Sequence, residues 1–322
     1  MTKSALCFGL ALLGALACSP AYGQSEFLSE RFPYDAFDRL KTTPIHAGGS
    51  TLNVGFAPGA SALPRSAILA WLETSAKAVS VYFGKFPVAS ARILIVPVPD
   101  AGVPAATTFG YRGAAIRFVV GSDVTKTQLA DDWKGVHEMT HLALPYVDET
   151  HLWLAEGVAV YVEPVARVQA GDLTAERIWG DMVRDMKQGL PQKGDRGLDF
   201  TPTWGRTYWG GAMFYFLADI EIRKATGNRA GLQQALRGIL AAGGDHEQHW
   251  PIERVLSTAD EATGTTVLSD LYAKMGDKPY APDLDALWRD LGISVRAGKV
   301  TFDDSAPLAP IRRAITAAPS PG

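Results

Sequence analysis

The segment LWLAEGVAVYV, residues 152–162, limits the fold of this chain more than any other part of the sequence. Its single charged residue is Glu156, and nearly all of its other residues are apolar. A helix that is apolar on all sides lies buried, and a buried carboxylate is unfavourable unless an ion pair or a metal ion compensates it. The segment therefore predicts a buried helix, from about His151 to Val162, in which Glu156 has a partner. The alternative is an amphipathic helix from which Glu156 faces solvent.

The sequence HEMTH, residues 137–141, offers such a partner. His137 and His141 are four residues apart, so they lie on one face of a helix, and two imidazoles at this spacing can bind one zinc ion. Glu138 lies about 100° further round the helix, where its carboxylate can take a proton from water that a metal activates. Two helical histidines can also be ordinary hydrogen-bonded residues, so both interpretations stay open at this point.

The connection between the two segments allows them to meet across one metal ion. The first helix should continue to about Leu144 and end before Pro145, and the short loop PYVDET leads into the second helix. Two antiparallel helices would then place Glu156 opposite the histidines as a third ligand. Glu163 is seven residues further on, on the same face, where it could accept a hydrogen bond from an imidazole N–H. The alternative for Glu163 is a solvent-facing residue, because it lies close to Pro164 and the end of the helix.

The N-terminal residues have the features of a secretory signal peptide. A continuous apolar run extends from Ala5 to Ala17, and the small residues of Ala21-Tyr22-Gly23 suit cleavage before Gln24. We therefore expect residues 1–23 to be a signal peptide and the protein to be exported, either periplasmic or secreted. A buried N-terminal helix and a lipoprotein attached at Cys18 are the alternatives.

The only two cysteines, Cys7 and Cys18, lie within this leader. Cleavage after Gly23 would leave no disulfide and no thiolate ligand, so a metal ion would be bound by histidine and carboxylate groups. The net charge of −3 and the mixed distribution of charged residues indicate no nucleic-acid partner. No later segment is apolar enough to be a transmembrane helix, and no sequence feature indicates an oligomeric state.

Patterns along the rest of the chain predict an α+β fold. Strand signals and one helix-like segment precede Gly121 and predict a small mixed α/β layer with an edge strand. Helical signals dominate after it, at 125–144, 151–162, 174–188, 205–225, 230–241, 266–275 and 284–291. We expect one catalytic unit, with the zinc site on the HEMTH helix between its two parts. The first part, residues 24–165, contains the α/β layer and the HEMTH helix. The second part, residues 166–316, is helical, and a flexible tail at 317–322 follows it.

HEMTH followed by WLAEGVAVYVE resembles the gluzincin zinc metallopeptidases of the peptidase MA-like superfamily. The resemblance implies that one Zn²⁺ ion is bound by His137, His141 and Glu156. It also implies that Glu138 is the catalytic base and that Glu163 supports a ligand by a hydrogen bond. The matching region covers roughly residues 90–245.

A second match, Arg206 to Leu240, resembles the glycyl-aminopeptidase-like gluzincins, in which a tyrosine opens a helix. Tyr208 matches the tyrosine whose hydroxyl stabilises the oxyanion. A phenol placed opposite the zinc would lower the barrier to hydrolysis by donating to the negative oxygen. The alternative for Tyr208 is a core or interface aromatic residue beside Trp204 and Trp209.

The region before HEMTH differs from the corresponding region of the gluzincin exopeptidases. Those proteins carry a strand with a glutamate that holds the free amine of the substrate. The counterpart predicted here is a substrate-binding edge strand that begins with Gly113, Ala114 and Ala115 and contains no acid. Arg117 on this strand could bind a carboxylate or could simply be exposed. His246 and His249 form a weaker alternative metal site.

The sequence therefore predicts an exported zinc-dependent peptidase that hydrolyses peptide bonds with a metal-activated water. Its partner would be a peptide or protein substrate, with exopeptidase and endopeptidase action both open. The alternative is a catalytically silent metal-binding or scaffolding protein of the same fold in the cell envelope.

Overall fold

The structure is a computed structural model, and it describes residues 25–318. The predicted signal peptide, both cysteines and residues 319–322 of the predicted tail lie outside this range. No helix within residues 25–318 is both long and apolar enough to span a membrane.

A mixed five-stranded sheet forms the first layer of the fold. Its strands are β1 (Thr42–Ala47), β2 (Ser50–Phe56), β3 (Ser90–Val98), β4 (Ala105–Phe109) and β5 (Ala115–Gly121). The order is β1-β2-β3-β5-β4, with parallel strands in the centre and antiparallel pairs at both edges. The Ile- and Val-rich sequences of β3 and β5 suit this central position because both faces of a parallel sheet are covered.

Apolar side chains cover both faces of the sheet. The short helix α1 (Tyr34–Phe37) and the residues before it cover one face, where Phe32 packs with Leu94 of β3. The long helix α2 (Arg65–Phe83) connects β2 to β3 and covers the other face, with Leu72 fully buried in the main core. The sheet is therefore a rigid support on which later elements can pack.

The helical part follows β5. Its helices are α3 (Lys126–Asp131), α4 (Lys134–His141), α5 (Leu152–Gln169), α6 (Ala175–Asp185), α7 (Gly211–Thr226), α8 (Leu232–Ala241), α9 (Ile252–Thr263), α10 (Val267–Met275), α11 (Leu284–Asp290) and α12 (Ala309–Thr316). A hairpin of β6 (Ile293–Arg296) and β7 (Lys299–Phe302) separates α11 from α12. The predicted α+β architecture is confirmed, although the sequence patterns do not predict α9, α12 or this hairpin.

The apolar segment that contains Glu156 forms α5, which packs against α2, α4 and α7. The prediction that this helix ends at Val162 is wrong, because α5 continues through Pro164 to Gln169. Packing of Val165 and its neighbours in the core stabilises the helix beyond the proline. The proposed division between residues 165 and 166 lies inside this helix, and the division into parts stays a prediction.

The helix predicted over residues 125–144 is two helices. The predicted capping box of Thr125 and Gln128 is present at the start of α3. The chain then becomes extended at Asp132, whose carboxylate accepts a hydrogen bond from the Gly135 N–H at 3.1 Å. An Asp in this arrangement favours the start of a new helix, and α4 begins at Lys134, three residues before HEMTH.

The edge strand differs from the prediction. Residues 115–121 form β5, which lies between β3 and β4, and the edge next to α4 is β4. The sequence AATTF of β4 has small and polar residues because an edge strand is half exposed, so it carries no strong apolar alternation.

Candidate metal centre

His137 and His141 lie one helical turn apart on α4 and are both buried. Their ring centroids are 4.8 Å apart and the ring planes are nearly perpendicular. Burial lowers the pKa of each imidazole to about 3. Both side chains are therefore neutral at neutral pH, which is the form of histidine that binds a metal ion.

Glu156 on α5 faces the two histidines. Its Oε2 atom lies 3.3 Å from Nε2 of His137 and 3.7 Å from Nε2 of His141. Two tetrahedral zinc ligands at ~2.0–2.1 Å from the ion lie ~3.3–3.4 Å from each other. The spacing and chemistry of these three side chains therefore fit a zinc ion, and packing of α5 on α4 brings together the ligand set that the sequence predicts.

Glu138 is buried beside the same three side chains. A carboxylate oxygen of Glu138 lies within 4.8 Å of one ring nitrogen of each histidine. Its Oε2 atom accepts a hydrogen bond of 2.8 Å from the hydroxyl of Thr108 on β4. Glu156 contacts both Nε2 atoms and is therefore suited to be a metal ligand. Glu138 is held by the hydrogen bond from Thr108 and is therefore suited to proton transfer.

Thr108 was not among the predicted site residues. Its hydroxyl also lies 2.8 Å from the backbone carbonyl oxygen of Glu138, so it contacts this residue twice. Burial raises the pKa of Glu138 to about 7, and the hydrogen bond from Thr108 opposes this rise. No local pattern identifies Thr108, because the contact depends on where the edge strand lies relative to α4.

Tyr208 lies in the same cleft as the metal-ligand candidates. It occupies a π-helical turn, Gly205–Gly210, that leads directly into α7. Burial and the nearby carboxylates of Glu156 and Glu138 raise the pKa of its phenol to about 12. The hydroxyl therefore stays protonated and can donate a hydrogen bond, and turns of this type are frequent at functional sites.

A buried ion pair supports the turn that carries Tyr208. Nε of Arg206 lies 2.8 Å from Oδ2 of Asp195, and both side chains are almost fully buried. Nη1 of Arg206 also donates to the carbonyl oxygen of Gly189. Arg206 therefore ties the turn to two segments that precede it in the sequence.

Glu163 has a different partner from the one predicted. Its Oε1 atom accepts a hydrogen bond of 3.0 Å from Arg167, and no hydrogen bond joins Glu163 to either imidazole within the described residues. Arg167 is available because α5 continues past Pro164 and places it four residues further along the same helix. Arg167 also donates to the carbonyl oxygens of Ala130 and Asp132 and so anchors α5 to the α3–α4 connection.

The predicted substrate residues Gly113, Ala114 and Ala115 do not line the cleft. The carbonyl of Gly113 accepts from the Tyr34 hydroxyl at 2.7 Å, and the N–H of Ala114 donates to Glu247 at 2.9 Å. The cleft is lined instead by residues 104–108 in and before β4. The predicted substrate strand therefore does not line this cleft, because the edge strand is β4, and its role in substrate binding stays a prediction.

The other histidines near the cleft have separate partners. Nδ1 of His151 lies 2.8 Å from Asp199, and Nε2 of His249 lies 3.3 Å from Asp148 on the surface. His246 lines the cleft, but it forms no metal-binding group with His249 within the described residues.

No protein-family model and no curated protein matches this sequence, whereas solved structures match its fold. An aminopeptidase N family protein from Idiomarina loihiensis has a TM-score of 0.58 and 15% identity, and the match covers 80% of this chain and 50% of that chain. A two-domain M1 zinc metallopeptidase variant bound to L-arginine has a TM-score of 0.50 and 15% identity, over 76% and 53% of the two chains. The chain thus spans about half the length of these structures.

The fold is therefore similar to that of these two structures over about half of their length, and the predicted resemblance to gluzincins is confirmed at the level of the fold. Of these two solved structures, the aminopeptidase N family protein has the higher TM-score.

Proposed function

We propose that this protein is a zinc-dependent peptidase that hydrolyses peptide bonds. The observation that carries the proposal is the position of Glu156 Oε2, which lies 3.3 and 3.7 Å from the Nε2 atoms of His137 and His141. This ligand set lies in one cleft with the buried carboxylate of Glu138 and the protonated phenol of Tyr208. The M1 zinc metallopeptidase fold supports the same reaction class.

The roles of the protein groups follow from their chemistry. A single Zn²⁺ ion held by His137, His141 and Glu156 would supply a Lewis acid for the substrate carbonyl and for water. Glu138 would accept the proton of the attacking water and pass it to the leaving amine. Thr108 would keep the Glu138 carboxylate oriented. Tyr208 would donate a hydrogen bond to the substrate oxygen as negative charge develops on it.

The decisive experiment compares the wild-type protein with Glu138→Gln. Zinc content is measured by mass spectrometry, and cleavage of a mixed peptide library is followed by product identification. We expect about one zinc per chain in both proteins and cleavage only by the wild type. Equal cleavage by the two proteins would contradict the role of Glu138, and zinc binding without any cleavage by the wild type would favour the silent metal-binding alternative.

We also propose that the protein is exported, on the basis of the leader at residues 1–23. Fractionation of the producing cells and N-terminal sequencing of the protein test this. Export with an N-terminus at Gln24 is expected. A full-length chain retained in the cytoplasm would contradict export, and a lipid-modified Cys18 would identify a lipoprotein.

A further inference from the structure

The cleft around the metal centre collects exposed apolar side chains. It has a volume of about 1020 Å³. Within residues 25–318, eight large hydrophobic side chains are exposed, and four of them line this cleft: Trp133, Tyr146, Leu152 and Trp204. Exposed apolar groups concentrated in one concave site mark a binding surface.

The two exposed tryptophans lie beside groups with proposed catalytic roles. The indole of Trp133 packs edge-on against His137 with ring centroids 4.9 Å apart. The indole of Trp204 is stacked on Tyr208 with ring centroids 5.9 Å apart and an interplanar angle of 25°. His137 and Tyr208 lie on different elements that meet at the candidate metal centre. Apolar surface is therefore present both on the side of His137 and on the side of Tyr208.

The acidic side chains of the cleft are mostly neutralised by arginines. Asp131 lies 3.1 Å from Arg177, and Glu163 lies 3.0 Å from Arg167. Asp181 and Asp185 both bind Arg184. Apart from Glu138 and Glu156, the one carboxylate that lines the cleft without an arginine partner within the described residues is the exposed Glu149.

This arrangement favours a particular class of substrate. A free α-amine is held in a binding site by an unpaired carboxylate, whereas paired acids and exposed indoles favour uncharged, apolar groups. We infer that the cleft binds an internal segment of a polypeptide, with large apolar side chains on both sides of the bond to be cleaved. This inference rests on the proposed peptidase function and specifies its substrate.

Binding to Glu138→Gln tests the inference separately from turnover. The first probe is a fluorescent octapeptide with a central Phe-Leu pair and with an acetylated N-terminus and an amidated C-terminus. The second replaces the pair by Asp-Lys, and the third keeps Phe-Leu but has a free N-terminus. We expect fluorescence anisotropy to show similar binding of the two Phe-Leu peptides and at least tenfold weaker binding of the Asp-Lys peptide.

Variants identify the surface that binds the peptide. Trp133→Ala and Trp204→Ala, each in the Glu138→Gln background, are expected to weaken binding of the capped Phe-Leu peptide about tenfold, because exposed aromatic anchors dominate such contacts. Phe200→Ala is the matched control, since Phe200 is similarly exposed but lies outside the cleft. Circular dichroism of each variant confirms that it is folded, and Trp204→Phe should retain part of the affinity.

The inference would be overturned if the Phe-Leu peptide bound with a free N-terminus but not with an acetylated one. It would also be overturned if Glu149→Gln abolished binding of the free-amine peptide. Equal binding of the Asp-Lys peptide would also overturn it. Cleavage that requires a free amine would contradict this inference while supporting the proposed function. Binding of the capped Phe-Leu peptide without cleavage by the zinc-loaded wild type would support it and contradict the proposed function.

Discussion

The backbone of Gly157 lies directly against the backbone of Gly211, so that α5 and α7 touch without any side chain between them. A Cβ atom at Gly157 would collide with the carbonyl carbon of Gly211, and one at Gly211 would collide with the carbonyl oxygen of Trp153. Glu156 precedes Gly157, and the turn that carries Tyr208 ends immediately before Gly211. The distance between a candidate metal ligand and the candidate oxyanion donor therefore depends on this contact.

Gly157→Ala should separate the two helices. We expect the free energy of unfolding to fall by about 1–3 kcal/mol, as overpacking of a close contact requires the backbone to move. Turnover should fall as well because Tyr208 is displaced, and both quantities can be measured by denaturant titration and peptide cleavage. Gly298→Ala, in the β6–β7 turn, is the control. The φ of 76° at Gly298 makes an alanine there destabilising, but Gly298 does not line the cleft. Unchanged turnover in Gly157→Ala would show that this contact does not position Tyr208.

Thr108→Val removes the hydroxyl that binds Oε2 of Glu138 and preserves the shape of the side chain. A hydrogen bond to a charged group contributes about 1.5–3 kcal/mol, so we expect kcat to fall at least about tenfold with little change in KM. Steady-state kinetics measure both values. Thr108→Ser retains the hydroxyl and should recover most of the activity. If Thr108→Val and wild type have the same kcat, Thr108 does not orient the base.

Tyr208→Phe removes a hydrogen-bond donor and leaves the aromatic ring stacked on Trp204. The loss of a donor to the oxyanion lowers kcat by about 10²–10³-fold in comparable sites, and we expect a fall of that order. Zinc content and melting temperature should stay close to those of the wild type, because the phenol oxygen is not among the proposed ligands. Loss of zinc from this variant would contradict the assigned role.

Asp195→Asn leaves the guanidinium of Arg206 buried without a carboxylate partner. Breaking a buried ion pair from one side costs about 3–5 kcal/mol of stability, and we expect a destabilisation of this size in urea titration. Glu26→Gln is the matched control, because the Glu26–Arg39 pair is exposed and such pairs contribute little. Equal stability of the two variants would show that the buried pair is not required to hold the turn.

Zinc should stabilise the folded protein by mass action. A ligand at 100 times its Kd that binds only the folded state adds about 2.7 kcal/mol, so the melting temperature of the metal-free wild type should rise with added zinc. Glu156→Ala removes a ligand candidate and should abolish most of this rise, whereas Glu149→Ala should retain it. Differential scanning calorimetry with and without zinc measures the effect, and an equal rise in Glu156→Ala would exclude Glu156 as a ligand.

Much of the candidate site could be predicted from local patterns. The spacing of His137 and His141 places both on one face of any helix, and a lone carboxylate in an apolar helix requires a partner wherever that helix lies. Most helices after Gly121 were predictable for the same reason, since their periodicity is a local property. The capping box at Thr125 is another local feature that the structure confirms.

Other features depend on contacts between distant residues. The edge strand β4 has little apolar alternation, and the role of Thr108 exists only because β4 packs next to α4. The observed partner of Glu163 differs from the predicted one because core packing extends α5 beyond Pro164. Proline by itself predicts that the helix ends there.

By itself the sequence determined the residue types of the candidate metal site, the helices that carry them and the α+β class, because these follow from side-chain chemistry and short-range periodicity. Only the tertiary structure decided which strand lines the cleft, how closely α5 approaches α7, and which charged groups pair. Those outcomes depend on the free energy of packing between segments far apart in the chain, and no local spacing encodes it.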